Sequence, residues 1–352
     1  MPNDRTTVTE LATALGMLTG DDAGDIIGRR PTELRVDPAT WDRLGALWAM
    51  GGHRSDFASS FANGRAFLAS DDGLAGRAPR VIEWTGGRRP PGDEVAPIDL
   101  RVDHVYLVSC KYLSDNIQSP SPARLFDGLL ATSGEWDRRD WYEVTAPDEY
   151  QALYAACREA SGLTSLPETA VALSGPDRRA LRQALPGRRY PEAAQEAYRA
   201  LCAVVSERSA RRWRERLAQA DAERVLWRLL RIGNAPYFLL GADAGLRLAL
   251  RIDTPWDWHR QFELRGLEVT AGGSGQPRVN WAATYRRRRT RHDDVVAGHV
   301  EVRWSHGKFS QPPEAKVYLD TPADRVPGYH RLGGQPAESE GEDPGGPQAS
   351  LW

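Results

Sequence analysis

Pro97-Ile-Asp-Leu-Arg-Val-Asp-His-Val-Tyr-Leu-Val-Ser-Cys-Lys111 is the chemical centre of this chain. Ile98–Val102 and Val105–Tyr112 are β-prone with almost no chain between them, which predicts a tight hairpin. The two-residue period of a strand puts Asp99, Arg101 and Asp103 on one face of the first strand and Leu107, Ser109 and Lys111 on one face of the second. Tyr106, Val108 and Cys110 take the opposite face, where a helix can cover them. Lys111 is the first lysine of the chain and only Lys308 and Lys316 follow; arginine serves everywhere else.

Upstream, Thr9–Leu18 reads as a short helix ending near Gly20. Asp37-Pro38 is a helix start, with Asp as N-cap and Pro in the first turn, for a helix over Ala39–Met50 that stops at Gly51-Gly52. A second helix runs from Ser55 to Ala69, with Phe57, Phe61 and Leu68 at helical spacing. Arg80–Trp84 is a strand and Gly86–Gly92 a turn. Downstream, Pro120-Ser-Pro122 breaks the chain. Ala123–Thr132 reads as a helix and Asp140–Thr145 as a strand. The order over roughly 54–146 is thus helix, three strands, helix, strand. Residues 148–231 look helical. Residues 236–320 look β-rich, with strands at 237–240, 246–252, 262–269, 279–285, 299–304 and 316–319. Gly333–Trp352 is Gly/Pro/Glu-rich and reads as disordered. The expected class is α+β or α/β, divided into 1–146 (N-terminal α/β), 147–232 (helical), 233–332 (C-terminal β-rich) and the tail 333–352.

At 352 residues, with 41% hydrophobic and 27% charged, the chain has the composition of a folded globular protein. No apolar run approaches the roughly 20 residues of a bilayer span, and no signal-like stretch follows Met1-Pro-Asn-Asp-Arg. These features predict a cytoplasmic protein with no membrane partner. The three cysteines, Cys110, Cys157 and Cys202, lack CxxC spacing, which argues against a disulfide framework or structural zinc. Removing the four tail acids Glu338, Glu340, Glu342 and Asp343 takes the formal net charge from −2 to +2. Global charge therefore neither favours nor excludes nucleic acid, and local clusters must carry that case.

An acid on one strand and an x-Lys pair on its neighbour is the arrangement that metal-assisted phosphodiester hydrolysis needs: carboxylate oxygen for Mg²⁺ and an ammonium to position water and steady charge. Pro97-Ile-Asp99 followed by Ser109-Cys-Lys111 resembles the PD-(D/E)XK nuclease superfamily, and the element order over 54–146 resembles its core. The resemblance covers about a quarter of the chain. It implies a restriction-endonuclease-like fold and a Mg²⁺- or Mn²⁺-dependent endonuclease acting on DNA. With an appended β domain, such a protein looks like a restriction or phage-defence effector that works with a protein partner. Asp99 would hold the metal with the main-chain carbonyl of Cys110, and Lys111 would be catalytic. The chain departs from the pattern at Ser109, where the family's second acid would stand. Glu83, then Asp103, then Asp56 are the replacements, and Asp115 lies close behind Lys111. Two rivals remain: a catalytically inactive nuclease-like binding or assembly subunit, for which Ser109 argues, and a protein-interaction module.

Asn116, Gln118, Ser119 and Ser121 form a polar loop read either as phosphate contacts or as ordinary turn chemistry. Arg286, Arg287, Arg288 and Arg289, with Arg291 and His292, are the strongest basic cluster and the candidate nucleic-acid contact of the β-rich part. Arg211–Arg216 reads as a charged helix face with Trp213 inward. Glu314-Ala-Lys316 is a decoy acid-x-Lys pair, and Trp304–Lys308 a polar, aromatic hairpin turn. Trp256 and Trp258 share a face if extended, where they would stack on a base or close a β core. Gly272–Gly275 has no phosphate-loop spacing.

Overall fold

The computed structural model describes residues 3–20, 22–86, 96–112, 116–131, 134, 139–187, 189–243, 246–273 and 275–333, with backbone alone for 242, 243, 246 and 247. Asp115, most of the 86–92 turn and the tail after Gly333 lie outside the described residues. The chain is mixed α/β and divides into two units that alternate along the sequence. Unit 1 comprises 1–115, 231–262 and 322–352; unit 2 comprises 116–230 and 263–321. Consecutive domains at 1–146, 147–232 and 233–332 do not describe this interleaving.

Unit 1 opens with α1 (Asp4–Gly16), capped by the Asn3 side chain on the Thr6 amide, and α2 (Ala23–Arg29). A short strand β1 (Leu34–Arg35) follows, then α3 (Pro38–Met50). Asp37 caps α3 by accepting from the Thr40 N–H, Pro38 sits at the first turn, and Gly51 ends it in the left-handed region at φ 73°, as the sequence predicts. α4 (Arg54–Ala69) begins one residue before Ser55, with His53 at the cap position. Then come β2 (Ile82–Trp84), β3 (Leu100–Val102) and β4 (Tyr106–Tyr112), an antiparallel meander. The β3–β4 hairpin is the expected one. Its turn runs through Asp103 and His104, both at positive φ, and Asp103 fixes it: its carboxylate accepts from the Arg80 and Val81 amides at 2.7 and 3.0 Å and pairs with Arg77 at 2.5 Å.

The chain then enters unit 2 through β5 (Asn116–Gln118), which is a strand where the sequence suggested a loop. α5 (Pro122–Phe126) is shorter than the predicted helix, because Leu129 and Leu130 at positive φ turn the chain after Gly128. Trp141–Thr145 is a helical turn, α6, and corrects the expected strand. Its aromatic and β-branched residues favour strand, but Asp140 caps the turn on the Tyr142 amide and Pro147 starts α7 (Pro147–Ser161) directly behind it. α8 (Gly175–Ala184), α9 (Glu192–Leu217) and α10 (Ala222–Leu229) complete the helical stretch. Trp213 on α9 is fully buried, as read.

Back in unit 1, β6 (Tyr237–Asp243) lies parallel to β4, with Lys111 paired to Gly241, and β7 (Leu246–Ile252) returns antiparallel. The strand that continues the meander is therefore β6, reached after all of 116–230. α11 (Pro255–Gln261) is a helix, capped by Thr254 on the Asp257 amide. Residues two apart on a helix point to nearly opposite sides, so Trp258 is buried while Trp256 is exposed. Unit 2 takes the chain again for β8 (Phe262–Gly272), β9 (Arg278–Arg287), β10 (Asp293–Arg303) and β11 (Glu314–Leu319). β12 (Tyr329–Arg331) ends the described chain on the edge of unit 1, against β7.

The sheet of unit 1 thus runs β1-β2-β3-β4-β6-β7-β12 and that of unit 2 β5-β11-β10-β9-β8. In unit 1, Ile82, Leu100, Val102, Val108, Phe238 and Leu240 pack with the buried faces of α1 to α4, and Tyr106 and Cys110 join them on the face the sequence assigned to a helix. In unit 2, Val279, Trp281, Ala283 and Tyr285 of β9 alternate with exposed or half-buried neighbours, as a one-sided sheet requires. Among the described residues no helix is long and apolar enough to cross a membrane.

Candidate active site

α1 is buried without a break from Thr7 to Gly16, an unusual state for a helix containing a carboxylate. Two clamps hold it. At its start, Arg5 forks onto Asp56 of α4 at 2.8 and 3.2 Å, and His53 meets the other oxygen of Asp56 at 3.1 Å. At its end, α1 crosses α4 backbone to backbone: a Cβ on Gly16 would overlap the Phe61 carbonyl oxygen, and one on Gly64 the Thr13 carbonyl oxygen. Thr13, at the second clamp, hydrogen-bonds the Tyr112 hydroxyl of β4 at 2.9 Å, and Asn63 of α4 donates to that hydroxyl at 3.0 Å. α1 is thereby pinned to the strand that carries Lys111.

The result is to present Glu10 to the sheet. Glu10 is 6% exposed, and among the described residues its one hydrogen-bond donor is the indole of Trp84 on β2, at 2.6 Å. Burial, and then the negative charge of Asp99, raise its pKa from 4.5 to about 8, against the Trp84 hydrogen bond, which acts the other way. Asp99 stands just before β3. Its Oδ2 accepts the Cys110 amide at 2.7 Å, replacing a ladder bond, and the Ser109 hydroxyl lies 3.4 Å away. The Cys110 thiol reports the same convergence. Burial, then Asp99, then Glu10 push it well above its usual value, which keeps it protonated and removes it as a nucleophile. Helix α1, strand β2, the lead-in to β3 and strand β4 thus bring two carboxylates into mutual repulsion.

Ser109 is buried on β4, and Lys111 is half-buried two residues on, on the same face by strand period. Gly241 is required opposite Lys111, because a Cβ there would overlap the Lys111 carbonyl oxygen of the neighbouring strand.

The replacements suggested by sequence go elsewhere. Glu83 lies between Arg35 at 3.7 Å and His104 at 3.4 Å. Asp103 is the hairpin clamp; although burial opposes it, the Arg77 guanidinium and the Val81 and Arg80 amides hold it below the usual carboxylate range. Asp56 anchors α1. In unit 2, Gln118 donates to the Arg228 carbonyl at 3.0 Å, Asn116 to Ser119 at 2.7 Å, and Lys316 to Ser119 at 3.0 Å, so these polar side chains are engaged in the fold of their own unit. Ser121 caps α5. Lys316 pairs with Glu314 at 2.6 Å. Lys308 is buried on the Leu185 and Gly187 carbonyls, while Trp304 packs on Tyr142 and Phe309. Glu10 had one signal in the sequence: it is the single charged residue between Arg5 and Asp21.

Among the described residues no set of three or more His, Cys, Asp or Glu side chains is arranged to hold a metal ion. Two carboxylates remain, and that donor set fits a hard, water-rich cation such as Mg²⁺ or Mn²⁺, which proteins bind through one or two carboxylates and substrate phosphate. It does not fit structural zinc. No family model, no curated protein and no solved structure matches this chain.

Proposed function

We propose that unit 1 is a restriction-endonuclease-like core and that the protein is a metal-dependent nuclease hydrolysing phosphodiester bonds, with DNA as substrate. The observation that carries this reading is the buried Glu10, held by Trp84 and close enough to Asp99 for its charge to raise the Glu10 pKa, on a helix packed against a meander whose third strand bears Lys111 and is extended by a parallel strand. The order α4, β2, β3, β4, β6 supports the core assignment, with unit 2 supplying the crossover. A bound Mg²⁺ or Mn²⁺ would polarise the phosphoryl group and lower the pKa of an attacking water. Glu10 and Asp99 would hold it with the Cys110 carbonyl. Ser109 and the Cys110 amide orient Asp99, Trp84 orients Glu10, and Lys111 positions water and steadies developing charge. Cleavage of plasmid and single-stranded DNA with each metal, by wild type, Asp99→Ala and Lys111→Ala, tests this. Each variant loses about a thousand-fold in rate, and a wild type inert with every metal overturns the enzyme reading.

The second reading, an inactive binding or assembly subunit, is favoured by one detail. Asp99 Oδ2 is already taken up by the Cys110 amide and faces Ser109, a neutral group where an acid would complete the site.

Trp84→Phe tests by pH the part that Glu10 plays in the proposed reaction. Loss of the indole hydrogen bond raises the Glu10 pKa above about 8, and a site that needs ionised Glu10 becomes active only at higher pH. The acid limb of the rate profile moves alkaline, with a several-fold loss at pH 8 recovered near pH 10. An unmoved limb with a uniformly lower rate removes Glu10 from the reaction.

A further inference from the structure

The basic run in unit 2 is divided by the fold into a stem and a tip. β9 and β10 form a hairpin in which Arg287 and His292 close residues 288–291. In the stem, Arg286 forks onto Asp293 at 2.6 and 2.9 Å, and Arg287 reaches Asp294 at 3.1 and 3.2 Å while lying over the Tyr285 ring. Arg288 is 3.9 Å from Glu263. Arg289 and Arg291 are exposed, and neither has a side-chain partner among the described residues. Arg291 has φ 61°, a left-handed position that glycine or asparagine would occupy at no cost. A hairpin built only for closure would not put arginine there.

The stem is also free on one side. β11 covers β10 over Gly298–Arg303, so Asp293–Val296 extend past it, and Val295 is 53% exposed. The end of the hairpin is a two-stranded ribbon, internally neutralised along its arms and cationic at its point.

We infer that the tip, through Arg289 and Arg291, is a phosphate-gripping finger for duplex nucleic acid, and that Arg286 and Arg287 are struts and not contacts. A two-stranded ribbon has the width of a duplex major groove, and guanidinium forks match phosphate oxygens. An acidic protein surface offers sparser charge than a backbone with one charge per roughly 1.7 Å of duplex, and closely spaced arginines at one point fit the denser array. The choice of nucleic acid rests on the proposed function; the finger itself rests on the hairpin.

The full chain is titrated in EDTA with a fluorescein-labelled 20-base-pair duplex over increasing KCl, and anisotropy gives the slope of log affinity against log salt. Each phosphate neutralised contributes about 0.9 to that slope. Arg289→Ala with Arg291→Ala lowers it by about 1.8 and weakens binding at least about tenfold at low salt. Arg286→Gln with Asp293→Asn removes a stem pair and leaves the slope unchanged, as does Arg211→Ala with Arg216→Ala on α9. An unchanged slope in the tip variant overturns the inference; so does a stem-pair loss equal to the tip's, and so does polyglutamate binding as tight as the duplex. The tip is exposed, and an unaltered thermal melt confirms that each variant is folded. Cleavage lost with binding intact refutes the hydrolytic reading alone; duplex binding independent of the tip with cleavage intact refutes the finger alone.

Discussion

Under the proposed reaction, Glu10→Gln is expected to lower hydrolysis by about a thousand-fold or more and at the same time to stabilise the metal-free protein. The two effects have one cause. In the folded chain Glu10 ionises near pH 8, against 4.5 for the unperturbed group, because burial and then the charge of Asp99 oppose its negative form. As pH rises from about 4.5, the unfolded chain releases this proton first. Folding stability therefore falls across the window from 4.5 to about 8 and levels off above it. Glutamine keeps the shape and can still accept from Trp84, but has no proton to lose. The full shift corresponds to roughly 5 kcal/mol, and relaxation of the site brings the expected gain to about 2–4 kcal/mol at pH 8.5.

Urea unfolding at pH 5 and pH 8.5 measures this. The variant and wild type lie close at pH 5, and the gap opens with pH. Mg²⁺ closes it from the other side, since an ion bound only by the folded state raises the wild-type midpoint by mass action and leaves the variant unmoved. Equal destabilisation of Glu10→Gln at both pH values would mean that Glu10 is a packing residue held for the sake of Trp84. A carboxylate kept where it costs stability is the usual mark of a residue retained for chemistry.

The hairpin around Lys111 was readable because everything that defines it is local: alternation in two short runs, a turn of two residues, and a face of Tyr106, Val108 and Cys110 that a helix covers. The caps at Asp37 and Gly51 are local in the same way. What failed to show was whatever depends on distant chain. A strand buried between two others carries no record of which strand it will join, so β6 looked no more like the partner of β4 than Asp140–Thr145 did. With 116–230 lying between β4 and β6, proximity in sequence favours the nearer segment, which is a helical turn. The second carboxylate was hidden for the same reason. It stands on a helix at the far N-terminus, whereas Glu83, Asp103 and Asp56 lie on the hairpin or on the elements just before it in sequence. Those three carry arginine or histidine partners, and Glu10 has an indole.

Since α1 delivers that carboxylate, its seat on α4 controls the site from a distance. Gly64→Ala destabilises the protein by about 2–4 kcal/mol, although an alanine inside a helix ordinarily gains about 1 kcal/mol over glycine. The sign reverses because the added methyl meets the Thr13 carbonyl oxygen and the backbone of Gly16, and main chain cannot swing aside as a side chain does. α1 must lift or tilt. Thr13, which holds Tyr112, moves with it, and Glu10 lies three residues earlier on the same helical face. The variant therefore loses activity beyond what its remaining folded fraction accounts for, and its metal dependence shifts to higher concentration. Gly28→Ala on α2 is the control, since nothing lies within 4 Å of its Cβ position and the residue is exposed; it gains up to about 1 kcal/mol. Urea midpoints of the two variants should move in opposite directions. A Gly64→Ala protein as stable as wild type would show that the helices do not cross in contact, and the placement of Glu10 against the sheet would lose its mechanical basis.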